Sequence, residues 1–149
     1  MQTFLPYENF YNSAVCLDNK RLNKQIVEGV QILQCLMGRG SIIWRKHPVV
    51  KMWFGYEQSL YQYITECYME WVTRLMCGKR GGSPNHKSYN WMRDNRYEIF
   101  KYSKKKPKFL GNYNFHNSHR SALLFKNPDW YSQFNWDVEP KIEYIYPTL

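Results

Sequence analysis

Long apolar runs are missing from this sequence. No stretch approaches the roughly eighteen apolar residues that a membrane span requires, and the mean hydropathy is −0.67. The opening MQTFLPYENF has no basic segment followed by an apolar one, so no secretory leader is read there. A soluble protein of the cytoplasm is expected. Cysteine is sparse: Cys16, Cys35, Cys67 and Cys77 form no Cys-x-x-Cys pair. Three of them fall in helical patterns, and all four read as reduced core thiols. Glycine-rich phosphate loops, a Ser-His-Asp order and paired catalytic carboxylates are absent as well, as are internal repeats and the period-two alternation that would argue for a sheet.

Acidic residues are also few. Against 12 Asp and Glu stand 21 Lys and Arg, a formal charge of +9, which is the electrostatic footprint of a polyanionic partner, with nucleic acid the leading candidate. Aromatics are abundant: six Trp, thirteen Tyr and eight Phe in 149 residues exceed what a core of this size requires. Extra rings suit base stacking.

Leu22, Ile26, Val30, Leu33 and Met37 recur at helical steps and predict an amphipathic helix from Asp18 to Met37, ended by Gly38-Arg39-Gly40. A second, longer helix is expected after His47-Pro48, carrying Trp53, Tyr56, Leu60, Ile64, Cys67, Trp71 and Leu75 on one core-facing stripe up to Gly78. Residues 79–114 read as a basic loop region with a short helix around Trp91 to Tyr102. Ser118 is a plausible N-cap for a third helix through Lys126, Asn127-Pro128 restarts a short turn, and the tail WDVEPKIEYIYPTL is expected to be extended and packed by its aromatics. The fold expected is all-α: one compact domain over residues 1–149, a bundle of three main helices with long basic loops.

On the first helix, about 100° per residue places Arg21, Lys24, Gln25, Glu28 and Gln31 on the face opposite the apolar stripe. Glu28 is the only carboxylate between Asp18 and Glu57. A solvated Lys24–Glu28 pair at i, i+4 accounts for it. The alternative is a catalytic role, because a lone carboxylate on a DNA-facing surface meets phosphate repulsion. Cleavage of an N-glycosidic bond would use such a group, since the sugar passes through an oxocarbenium-like cation that a fixed carboxylate stabilises. Trp53, Tyr56 and Trp71 read as packing residues, whereas Trp130 and Tyr131, beside Lys126, read as surface rings. His116 and His119 have i, i+3 spacing, but no third ligand completes a metal site, so capping or phosphate contact is the preferred reading. His47, next to Arg45 and Lys46, is open to an anion contact or an interior hydrogen bond.

The segment LDNKRLNKQIVEGVQIL (17–33) resembles the catalytic helix of the pyrimidine-dimer DNA glycosylase family typified by a phage endonuclease V. Glu28 falls on that family's essential Glu. HPVVKMWFGYEQSLYQYITECYMEW (47–71) is similar to its long helix, and HRSALLFKNPDWYSQF (119–134) to its C-terminal Pro-x-Trp-Tyr segment. The ordered set resembles most closely a phage and bacterial branch, and residues 78–114 match nothing in it. The resemblance implies a compact helical domain that bends DNA, extrudes a base and attacks the sugar C1′ with the N-terminal amine while the Glu assists. Gln2 departs from the small residue that the family exposes by removing Met1. Val27 and Gln31 stand where the family has arginines.

These readings combine into an expected DNA glycosylase acting on a pyrimidine dimer or modified pyrimidine, with Glu28, Met1, Gln25 and Arg21 as its catalytic group. DNA contacts are expected from Lys24, Arg45, Lys46, His47, Lys104, Lys105, Lys106, His116, His119, Arg120, Lys126, Trp130 and Tyr131. No metal and no cofactor is expected, and the partner is double-stranded DNA bound by a monomer. The rival readings are a non-catalytic DNA- or RNA-binding module and a metal-dependent nuclease built on His116 and His119.

Overall fold

A computed structural model of the chain describes residues 1–147, so that Thr148 and Leu149 of the expected tail lie outside the described residues. The described residues contain no strand. Their helices are α1 (Phe10–Cys16), α2 (Asn19–Leu36), α3 (Ile42–Arg45), α4 (Pro48–Trp53), α5 (Glu57–Met76), α6 (Lys87–Asp94), α7 (Arg96–Ile99), α8 (Tyr113–Lys126) and α9 (Pro128–Tyr131), followed by a 3-10 turn at Ser132–Phe134. The all-α expectation holds, and α2, α5 and α8 are the three long members.

Helix α2 follows the predicted stripe closely. Asp18 caps it by accepting the Arg21 N–H at 2.8 Å, and Leu22, Ile26, Val30 and Leu33 are all buried. Its face meets Leu60, Tyr63, Ile64 and Cys67 of α5, also buried. Gly29 lies against Ile64 so closely that an added Cβ would sit 2.6 Å from Ile64 Cγ1. The carboxylate next to it is thereby held on a helix that cannot roll on its neighbour. Arg74 locks the far end: its guanidinium donates to Glu70, to the Asn19 side chain and to the Val15 carbonyl, joining α5 to α2 and α1.

Three expectations need correction. The single long helix after His47-Pro48 is two, α4 and α5, because Gly55 takes φ +81. That left-handed backbone breaks a helix and is open to glycine at little cost. Helix α8 begins six residues earlier than expected: Asn112 caps it by accepting the Phe115 N–H at 3.0 Å, while Ser118 lies inside it and donates to the Phe115 carbonyl. Finally, Cys16, Cys35 and Cys67 are buried thiols but Cys77 is exposed.

Candidate active site

The site begins with the first five residues, which are strapped across α2 rather than left free. Gln25 makes the strap. Its side-chain oxygen accepts the Phe4 N–H at 2.6 Å, and its amide donates to the Gln2 carbonyl at 3.0 Å. The Tyr63 hydroxyl lies within hydrogen-bond reach of both Gln25 Oε1 and the Phe4 carbonyl. Trp53 donates its indole N–H to Thr3 Oγ1 at 3.0 Å, and His116 Nδ1 donates to the Leu5 carbonyl at 2.7 Å. Gln2 to Leu5 are consequently buried.

That strap brings the chain's beginning onto Glu28. The Gln2 N–H donates to Glu28 Oε2 at 3.1 Å. The other oxygen, Oε1, stands 4.0 Å from Lys24 Nζ, and the Glu28 side chain is only 19% exposed against 62% for Lys24. A pair this long and this exposed on one side contributes little to stability. The backbone contact, not the ion pair, fixes the carboxylate.

Glu28 lines a cavity of about 490 Å³, a size typical of small-molecule sites. Met1, Gln2 and Phe4 form one wall, while Lys20, Arg21, Lys24 and Lys126 supply a cationic rim. Arg21 is held in place by Asp18, at 2.7 Å. Burial pushes the Asp18 carboxyl up, but hydrogen bonds from the Arg21 N–H, the Arg21 guanidinium and Asn127 outweigh it and leave the group below its ordinary value. His47, Tyr144 and Tyr146 close the far side. Tyr146 accepts from the Gln2 side chain at 3.0 Å and meets the His47 ring edge-on. His47 accepts the Val49 N–H on Nδ1, capping α4. Its pKa is lowered, first by burial and then by repulsion from the N-terminal ammonium, with Glu28 acting in the opposite sense. Burial thus favours the neutral imidazole of His47 on the side of the cavity facing Glu28.

A sequence model of the pyrimidine dimer DNA glycosylase family matches residues 1–80. The chain belongs to that family. No curated protein and no solved structure matches it. The family match spans the strap, Gln25, Glu28 and His47, whereas Lys126, Tyr144 and Tyr146 of the cavity wall lie beyond it.

Membership of a DNA glycosylase family implies a DNA substrate. Lys20 and Lys24 also edge an adjoining groove that runs to Trp71 and Arg80, whose guanidinium lies 3.4 Å over the Trp71 ring. Arg45 and Lys46 are exposed just before His47, although Arg45 is tied to the Gly38 and Gly40 carbonyls. Lys104 and Lys106 line a different groove with Glu8, which pairs with Lys106 at 2.7 Å, and Lys105 is exposed nearby, its carbonyl taken by Ser59.

Several expected site residues are buried or engaged within the fold instead. Gln25 is fully buried and acts on the strap, so it is a positioning residue and not part of an exposed face. Tyr131 is fully buried, its oxygen accepting the Asp18 N–H, and half-buried Trp130 donates to the Cys16 carbonyl. Arg120 is spent on the Pro6 carbonyl and Asn117. His116 has both ring nitrogens engaged, by Leu5 and by the Gly111 N–H. His119 is enclosed by Phe4, Phe115 and Tyr144, with neither nitrogen partnered. Neither histidine offers a phosphate a surface, and no trio of His, Cys, Asp or Glu among the described residues is placed to share a metal ion. Sequence reasoning missed Lys20, legible as one turn before Lys24, and Phe4, Tyr144 and Tyr146, which only long-range packing brings to the cavity.

Proposed function

We propose that the chain excises a pyrimidine dimer or a modified pyrimidine from double-stranded DNA, drawing the target nucleotide into the cavity over Glu28 and breaking its N-glycosidic bond. One observation carries this reading: a carboxylate pinned by the Gln2 N–H at 3.1 Å beneath a rim of Lys20, Arg21, Lys24 and Lys126. The rim takes the phosphates. The carboxylate faces the sugar, where positive charge grows at C1′ as the base departs, and a preorganised anion there lowers the barrier. The same charge set to bind the ground-state phosphates alone would weaken binding, which is why Glu28 is assigned the chemical step.

Two nucleophiles are open to the site. If the α-amine of Met1 attacks C1′, the N–C1′ bond forms as the base leaves with the bonding pair. The C1′–O4′ bond then opens, its electron pair leaving on O4′, to give a Schiff base, and loss of a C2′ proton expels the 3′ phosphate, an abasic-site lyase step. If water attacks, Glu28 takes its proton and the product is an intact abasic site. The reading takes residues 1–149 as one domain acting as a monomer.

Duplexes carrying ultraviolet photoproducts, deaminated bases or hypermodified pyrimidines, treated with the protein and then with hot alkali, provide the test. Breaks at one class of base are expected. Intact strands across the whole panel, with DNA still bound, would leave a binding module instead. Borohydride then separates the two routes: a covalent adduct on the N-terminal peptide marks the amine, and base release without an adduct marks water.

A further inference from the structure

Beside the cavity the chain makes an exposure that folding alone does not explain. Helix α3 buries none of its residues: Ile42 is 72% exposed, Ile43 82% and Trp44 43%. Three adjacent large apolar side chains in solvent are uncommon and mark a contact surface. They are held on a stiff base. Arg45 grips the Gly38 and Gly40 carbonyls, and Gly40 packs on Cys35 so tightly that a Cβ would lie 2.4 Å from its sulfur. Trp44 meets the ring of His47, a cavity residue, at 5.8 Å. The surroundings suit a polyanion: from Gly29 to Tyr56 the chain has no carboxylate and carries Arg39, Arg45, Lys46 and Lys51.

We propose that Ile42 and Ile43 form a wedge that enters the DNA base stack beside the extruded nucleotide, while Arg45 and Lys46 face the flanking phosphates. A nucleotide drawn into the cavity leaves a gap in the duplex, and an apolar side chain inserted at such a step keeps it unstacked and bent. A rigid turn is suited to this because its side chains are already ordered before they meet DNA. The inference rests on the base-excision reading.

The experiment uses a duplex with 2-aminopurine beside a cyclobutane thymine dimer, in the Glu28→Gln background so that complexes persist at saturating protein. With the turn intact, 2-aminopurine fluorescence is expected to rise severalfold on binding. With Ile42→Ser/Ile43→Ser the rise is lost, while the melting temperature is unchanged because both side chains are exposed. In the Glu28-containing protein the same double substitution is expected to slow excision from duplex about tenfold and to leave excision from single-stranded DNA within about twofold. The milder Ile43→Ala serves as a second variant and should fall between. Equal fluorescence with and without the isoleucines overturns the wedge. So does a change of sedimentation from dimer to monomer with the DNA signal intact, which would make the surface a self-contact. Loss of the excision reading shows separately, as normal turnover by the Glu28→Gln protein, while the fluorescence comparison still decides the wedge.

Discussion

Replacing Gln25 with leucine tests how the strap governs the carboxylate. Leucine keeps most of the volume but removes every hydrogen bond that the amide makes. The Phe4 N–H, 2.6 Å from Gln25 Oε1, and the Gln2 carbonyl, 3.0 Å from Gln25 Nε2, then lose their partners in a site that excludes water. An orphaned buried polar group costs about 1–3 kcal/mol, so the two together come to about 2–6 kcal/mol. The Tyr63 hydroxyl escapes the penalty because the Phe4 carbonyl remains within 2.7 Å. For a chain of this size each kcal/mol lowers the melting temperature by about 2–4 °C, which gives a fall of roughly 4–24 °C. Whether the strap shifts or detaches, the Gln2 N–H leaves Glu28, and single-turnover excision should drop at least about tenfold. DNA affinity, which the proposed mode of binding assigns to Lys20, Lys24 and Lys126, should change less than about twofold. Circular-dichroism melts, fluorescence anisotropy and single-turnover gels measure the three quantities. A variant melting within about 2 °C of the parent with unchanged excision would refute the assignment of Gln25 as the group that positions the strap.

Three further outcomes follow from other parts of the molecule. Burial among aromatic rings lowers the His119 pKa from 6.5 to about 3, so the unfolded chain binds this proton first. Stability should fall as pH drops from 6.5 toward 3, by about 1.4 kcal/mol per pH unit for the one proton. His119→Phe removes two unpartnered nitrogens, and urea titrations from pH 7 to 4 should show a protein at least as stable at pH 7 with a flatter acid limb; an unchanged slope would contradict this. Gly29→Val should cost about 1–3 kcal/mol by forcing α2 off Ile64, and thermal melts should show partial recovery with Ile64→Ala added, since the cause is contact and not helix propensity. In salt titrations of DNA binding, Lys24→Ala and Lys126→Ala should each reduce the log–log slope by about 0.9, whereas Lys106→Ala, whose ammonium already faces Glu8 at 2.7 Å, should leave it unaltered.

Local pattern carried the sequence reading as far as it went. The α2 stripe, the Asp18 boundary and the position of Glu28 all depend on residues within a few turns of one another, and there the 3.6-residue period is sufficient. The break at Gly55 was written in the same segment, yet the apolar stripe runs through it in phase and hides it. Gln25 shows the limit more sharply. Helical geometry put it on the polar face, but that face is covered by residues 1–5, and nothing in the α2 sequence reveals that the chain's own beginning lies there. Tyr144 and Tyr146 reach the cavity for a similar reason, the tail being held by the Ile145 N–H to Ser118 and by Gln2 to Tyr146. His119 and Tyr131 were misplaced in the other direction: their polar atoms suggested surface, whereas enclosure by aromatic rings and a bond to a backbone group bring them inside. Arg120 stays half-buried, turned onto the Pro6 carbonyl.

The most direct measurement is single-turnover base release by Glu28→Gln on duplex DNA carrying a thymine dimer, run beside equilibrium binding to the same duplex. In the proposed mechanism, neutralising this side chain removes the anion set against the forming cation and one negative charge from the cavity lined by Lys20, Arg21, Lys24 and Lys126. Release should be abolished while affinity stays equal or rises. Base release at the parent rate, or loss of binding in step with loss of release, would contradict the role given to Glu28.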